Sequence, residues 1–286
     1  LNATFLRATK NLWLVVALFF TALLVSFTVT GVSAQTLTRM PASADPIFDV
    51  ATIKPSNSTA ATIQMLRFGQ NDFETRNASL IDLIAYAYSV QARQITGAPE
   101  WMSHDRFDIR AKPDIEGVPN PDQMRSLVRK LLADRFKLAF HRDKKEMSAY
   151  VLSVVKTGSK LKLTEFEGPG MSFGFVPEAK GLLFPVRNAT MADFSGVLQS
   201  MVLDRPVVDE TALTGKYDFA LTFMPNDSQF NGHPPVLNGQ APNSEAADAS
   251  PGLFEAIQQQ LGLKLEAQKT AVDIIAIDHA EKPSPN

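Results

Sequence analysis

Cysteine is missing from all 286 residues, which excludes disulfides, thiolate metal sites and cysteine nucleophiles. Histidine is scarce: His104, His141, His233 and His279 are the full set, and none stands three or four residues from another. A metal site built on them would need convergence from distant parts of the fold. The chain also lacks His-Glu-x-x-His, a Gly-x-Ser-x-Gly elbow, a phosphate-binding Gly-Lys loop and a calcium loop, so none of the corresponding chemistries is signalled. Positive charge is not in excess either. Lysine and arginine number 28 against 30 acidic residues, and this balance does not supply the basic face that nucleic acids require. Ser153-Val154-Val155-Lys156 and Lys156-Thr157-Gly158 match two signatures of penicillin-recognising enzymes but overlap at Lys156. That chemistry needs the serine at a helix start and the second motif on a separate strand, so the match is discarded. No catalytic residue, cofactor or metal ligand is assigned.

What the chain does carry begins with an export signal. Arg7 and Lys10 give a basic start, an apolar run extends from Leu12 to Val25, and Val32-Ser33-Ala34 places small residues before Gln35. Signal peptidase cleavage is expected between Ala34 and Gln35. The alternative is an uncleaved inner-membrane anchor, since residues 12–32 carry no charge and about 20 apolar residues span a bilayer. Cleavage leaves 26 basic residues (28 − 2) against 30 acidic, a net charge of −4. A periplasmic or secreted protein without disulfides must be held by its core, and a hydrophobic content of 45% is sufficient for that.

The mature part reads as a sequence written twice. Arg76-Asn77-Ala78-Ser79-Leu80-Ile81-Asp82-Leu83 returns as Arg187-Asn188-Ala189-Thr190-Met191-Ala192-Asp193-Phe194, an offset of 111 residues (188 − 77). Such a length points to a duplicated domain, because solenoid repeats run to roughly 20–50 residues. Hairpins are expected before each copy: Ile63–Phe68, a turn over residues 69–72 and Phe73–Arg76, then Met171–Val176, a turn at Pro177–Gly181 and Leu182–Arg187. Ser79 with Asp82 and Thr190 with Asp193 form capping boxes that start helices. Leu80, Leu83, Ala87 and Val90 match Met191, Phe194, Leu198 and Met201 as buried faces.

Extended segments follow at Gln94–Gly97, Phe107–Arg110, Pro206–Asp209 and Tyr217–Ala220. A second helix begins at Asn120-Pro121 in one half and Ser250-Pro251 in the other, with proline at the first helical position. Each half closes with two strands, Phe136–His141 and Tyr150–Val155, then Leu263–Ala267 and Asp273–Asp278. The predicted fold is α+β: two related halves, each of antiparallel strands covered by two helices, either as separate domains or sharing a sheet across a pseudo-twofold axis. Boundaries are a linker over residues 35–46, halves at 47–160 and 161–286, and a mobile loop at 225–250 rich in Pro, Asn, Gly, Ser and Ala.

Other chemical candidates have structural readings. Asp108 and Asp218 occupy equivalent places, as do Asp82 and Asp193, and duplicated capping or strand-start positions ask for structural roles rather than an acid and base pair. Tyr86, Tyr88 and Trp101 could line a groove, with core packing the commoner role. Arg142-Asp143-Lys144-Lys145-Glu146 mixes signs and reads as a solvated turn.

Phe48–Pro55, Gln94–Trp101, Phe107–Lys112, Leu131–Leu138, Tyr150–Lys156 and Asp204–Asp209 resemble, as a set, an exported bacterial family of unknown function expanded in soil Acidobacteria. The resemblance spans nearly all of the mature chain and carries no catalytic residues over. Relatives joined to membrane-embedded metallopeptidases of the antibiotic-sensor type imply envelope sensing. The units are also similar to small periplasmic domains of secretins and outer-membrane receptors, a likeness of fold that does not fix function. The expected role is a non-enzymatic binding or interaction module of the envelope with a protein, peptide or glycan partner. An exported hydrolase with an unrecognised site is the alternative.

Overall fold

The computed structural model of the protein describes residues 38–58, 64–65, 72–168, 170–236, 239 and 249–283. The export segment with Ala34 and Gln35, residues 59–63 and 66–71 of the first expected hairpin, and residues 237–238 and 240–248 of the expected loop lie outside the described residues. In chain order the elements are β1 (Phe48–Pro55), β2 (Gln64–Met65), β3 (Phe73–Ala78), α1 (Leu80–Tyr88), β4 (Ile95–Thr96), α2 (Trp101–His104), β5 (Phe107–Pro113), α3 (Pro121–Arg135) and β6 (Ala139–Val154). They continue with β7 (Lys162–Leu163), β8 (Ser172–Phe173), β9 (Val176–Glu178), β10 (Gly181–Ala189), α4 (Met191–Val197), β11 (Val207–Asp209), β12 (Tyr217–Phe223), α5 (Leu253–Ala256) and β13 (Leu263–His279). The architecture is mixed α and β, with antiparallel sheets and few helices.

Two outer sheets have the orders β1-β5-β3-β2 and β7-β12-β10-β8, with β9 also on β10. Their registers correspond. Glu74 faces Arg110, Thr75 faces Ile109 and Ala78 faces Phe107 in the first; Pro185 faces Ala220, Val186 faces Phe219 and Ala189 faces Tyr217 in the second. Gln64 and Met65 lie beside Arg76 and Thr75 as Ser172 and Phe173 lie beside Arg187 and Val186. A third, central sheet has the order β11-β6-β13-β4. Its long strands β6 and β13 are antiparallel, while β11 joins β6 and β4 joins β13 in parallel.

Both β3 and β10 bulge just before a helix. The bulge carries Asn77 at φ 57° and Asn188 at φ 58°, in the left-handed region that asparagine tolerates better than most residues. The Asn77 N–H donates to Asp108 Oδ1 at 3.0 Å and the Asn188 N–H to Asp218 Oδ1 at 2.7 Å. Two residues on, Ser79 Oγ accepts from the Asp82 N–H and Asp82 Oδ2 accepts from the Ser79 N–H. Thr190 and Asp193 make the same reciprocal pair. Each box satisfies two helix-terminal donors, so the chain turns from strand into helix at a fixed angle.

The interior falls into two apolar clusters. One gathers Ile53, Phe73, Leu80, Leu83, Leu127, Phe136 and Ile275; the other Leu152, Phe184, Phe194, Leu221, Phe223, Ile257 and Leu263. The first thus includes Ile275 of β13, from the far end of the chain, and the second Leu152 of β6. Full burial of such a side chain contributes roughly 1.5–3 kcal/mol.

Several expectations need correction. The closing strand pairs are single long strands, because β6 and β13 pair continuously from Val154 with Leu263 to Phe140 with Ile277. The Arg142–Glu146 stretch lies inside β6 rather than in a turn; its residues are all exposed, so their charges stay hydrated while the backbone is paired, and Lys144 lies 3.9 Å from Asp273. Met201 is 46% exposed and Val202 is buried instead, because a π-helical turn over Leu198–Val202 inserts one extra residue and rotates the face. The last helix begins at Leu253 behind Gly252, not at Ser250-Pro251. The Ser250 N–H bonds Lys180 O and Pro251 O accepts from Met224 N, which keeps those residues extended. The turn expected over Pro177–Gly181 shortens to Ala179 and Lys180, since β9 reaches Glu178.

Candidate functional site

The β10 bulge opens a groove of about 620 Å³ across β8, β10 and β12. Phe173, Val186 and Phe219 line it from one cross-strand row, and Ser172, Arg187 and Asp218 supply its polar groups, with Gly174 and Pro185 completing the wall. The row is anchored from beneath: Phe173 meets Phe184 edge-on at 6.1 Å, and Phe219 meets Phe194 edge-on at 5.0 Å. Asn188 also holds the loop before β8, its Nδ2 donating to Gly168 O at 2.9 Å and Gly170 O at 2.8 Å. That loop carries Phe166, whose ring centre lies 5.8 Å from the Arg187 guanidinium, within range of a cation–π contact.

The first outer sheet shows the same frame with different charges. Glu74, its side chain 9% exposed, takes a bond from Arg110 Nη2 at 2.9 Å, and Arg76 Nη2 lies 3.9 Å away. Pro185 and Ala220 hold the corresponding register positions in the second sheet. Arg187, the counterpart of Arg76, accordingly makes no ion pair among the described residues.

The residues singled out in the sequence do not converge. His104 Nδ1 contacts Glu100 O at 2.8 Å, His141 Nδ1 contacts Asp278 Oδ1 at 2.8 Å, His233 Nδ1 contacts Asn231 O at 2.8 Å, and His279 Nε2 contacts Glu281 Oε1 at 3.0 Å. Among the described residues no three His, Asp or Glu side chains stand close enough to hold a metal ion. Asp82, Asp108, Asp193 and Asp218 each accept backbone N–H bonds at a cap or bulge. Ser153 lies on β6 opposite Lys264, while Lys156 and Thr157 form the following turn.

The aromatic trio packs against the first core rather than around a shared cavity. Tyr86 stacks on Phe73, Tyr88 meets Phe140 edge-on, and Lys282 lies over Trp101. Burial pushes the Tyr86 phenol above its ordinary range, with Arg125 pulling it part of the way back. Arg187 and its groove were not singled out by sequence reading. The available signal was the aligned repeat, in which Pro185 replaces Glu74 while Arg187 is retained.

No helix among the described residues is long and apolar enough to cross a membrane. Residues 81–280 match the family described as Protein of unknown function (DUF3738). No curated protein and no solved structure matches the chain.

Proposed function

The chain belongs to the DUF3738 family, and on that premise we propose that it is a non-enzymatic binding module of the cell envelope, exported by its first 34 residues. One observation carries the binding reading. The groove beside β10 has an apolar floor and few polar groups, and its carboxylate, Asp218, is engaged by a backbone amide rather than by a base or nucleophile. The groove is open to solvent along much of its length, and its volume lies within the roughly 300–1,000 Å³ of small-molecule sites.

The scaffold is read as a duplicated unit with pseudo-twofold symmetry. Shared strand order, register, bulges and capping boxes support that reading. The offset of 111 residues at Asn77 and Asn188 becomes 112 (207 − 95) at the parallel flanking strands, a one-residue gain that the π-helical turn at Leu198–Val202 absorbs. Tyr150 carries Val207 as Ile275 carries Ile95, an offset of 125 (275 − 150). At that offset Glu146 corresponds to Ala271, its own ladder partner, so the symmetry axis runs through this pair.

Export is supported by the apolar run and the small residues at Ala34 and Gln35. Cleavage there leaves intact the strap at residues 38–46, which is held by Gln123 Nε2 on Pro41 O and by Lys130 on Asp45. A link to envelope sensing rests on the resemblance to families joined to sensor peptidases. The test is a thermal-shift screen of the mature protein against organic acids, peptides and glycans, with product analysis by mass spectrometry. Melting-temperature increases without turnover are expected. Turnover of a hit would sink the non-enzymatic reading and establish the hydrolase alternative, and N-terminal sequencing that finds no start at Gln35 would remove the cleaved export route.

A further inference from the structure

We propose that the groove beside β10 takes a small organic monoanion, a carboxylate on an aromatic or aliphatic body, and that Arg187 is the residue that recognises it. This deepens the binding reading above and rests on it.

The two outer sheets act as an internal comparison. Both keep the asparagine of the bulge, its aspartate partner and the arginine before it. In the first sheet that arginine, Arg76, sits beside Glu74, which Arg110 also bonds. In the second sheet that carboxylate is gone, and so is the second arginine that shares it, because Pro185 and Ala220 occupy the register positions of Glu74 and Arg110. A frame that retains its cation while losing the internal counter-ion leaves a guanidinium able to take an external one. Arg187 is exposed, and its guanidinium carbon lies 5.8 Å from the centre of the Phe166 ring. A guanidinium in such a cation–π contact keeps N–H groups that match a carboxylate in two parallel bonds.

The surroundings select the rest of the occupant. Phe173 and Phe219, both half-buried, offer an apolar surface for a ring or branched chain, with the buried Val186 between them. Asp218 stands across the bulge, with Lys162 beside it in register on β7. Arg187 and Lys162 against Asp218 leave one net positive charge, which a monoanion neutralises and a dianion such as phosphate exceeds. Removing a charge-assisted bond of this kind weakens binding by about tenfold to a hundredfold.

The test is calorimetric titration of the mature protein with 2-naphthoate, 2-naphthylmethanol and inorganic phosphate, with the 2-naphthoate site located by NMR shift mapping. The expected result is 2-naphthoate binding at the groove at least tenfold tighter than the alcohol, with no competition from phosphate. Arg187→Ala should lose that advantage while Arg76→Ala keeps it. Pro185→Glu, which restores the counter-ion of the first sheet, should weaken 2-naphthoate binding with the arginine still present, so the outcome does not depend on one variant folding. Equal affinity for acid and alcohol, or equal losses in Arg76→Ala and Arg187→Ala, would overturn the proposal. A groove that takes a neutral peptide or glycan but no carboxylate overturns this inference and leaves the binding reading standing; turnover of a bound compound overturns the binding reading itself.

Discussion

The backbone N–H of Asn188 donates to Asp218 Oδ1 at 2.7 Å across the β10 bulge, fixing a residue at φ 58° beside the groove. Asn188 is nearly inaccessible, and its side chain adds the bonds to Gly168 and Gly170. Replacing it with alanine removes those side-chain bonds, at roughly 1 kcal/mol each, and leaves at φ 58° a residue without asparagine's tolerance of the left-handed region. Asn188→Gly should lose only the bonds. Urea unfolding is expected to rank the wild type above the glycine variant and the glycine variant above the alanine one; equal alanine and glycine losses would rule out backbone strain as a contributor.

The capping boxes give a second expectation. Ser79→Ala and Thr190→Ala should each cost about 1 kcal/mol, because each hydroxyl accepts a helix-terminal N–H. The two sites share no partner, so the double variant should lose the sum within about 0.5 kcal/mol.

Tyrosine titration sets the alkaline limit. Burial raises the Tyr86 pKa above 10.0, so the folded state favours the protonated phenol. The associated stability is complete below pH 10 and is lost as pH rises through the folded pKa. Tyr88 and Tyr150 shift in the same direction, burial being the first cause in both. Unfolding free energies at pH 9 and pH 11 should therefore differ less in Tyr86→Phe than in the wild type.

Lys137 and Gly262 follow the last turns of their helices at φ 49° and 66°. Lysine there bears the strain that glycine avoids, so Lys137→Gly should stabilise by about 1 kcal/mol. At Gly262 a Cβ would come within 2.5 Å of Gly158 O, so Gly262→Ala should destabilise by more than 1 kcal/mol. Thermal melts of the two variants should move in opposite directions.

Local chemistry makes much of this fold legible in the sequence. Ser79 with Asp82, Thr190 with Asp193, and Asn120 with Pro121 all act as their residue types dictate. Misreadings arose where tertiary pairing overrides local character. Arg142–Glu146 has the composition of a turn, yet β13 supplies a partner for its backbone. Met201 follows helical spacing until the π-helical turn shifts the register. The groove escaped notice because its informative feature is a substitution between copies, Pro185 for Glu74, and neither residue alone suggests a ligand.

The exchange of flanking strands in the central sheet bears on the order in which a growing chain can mature. Ile275 completes the interior formed largely by residues 53–136, and β4 has its partner in β13, so the segment that emerges first must wait for nearly the last. Contacts of such sequence separation close slowly and leave apolar surface open meanwhile. A chain interrupted before Leu263 would have neither interior closed, and protease sensitivity should rise along its whole length rather than near the break.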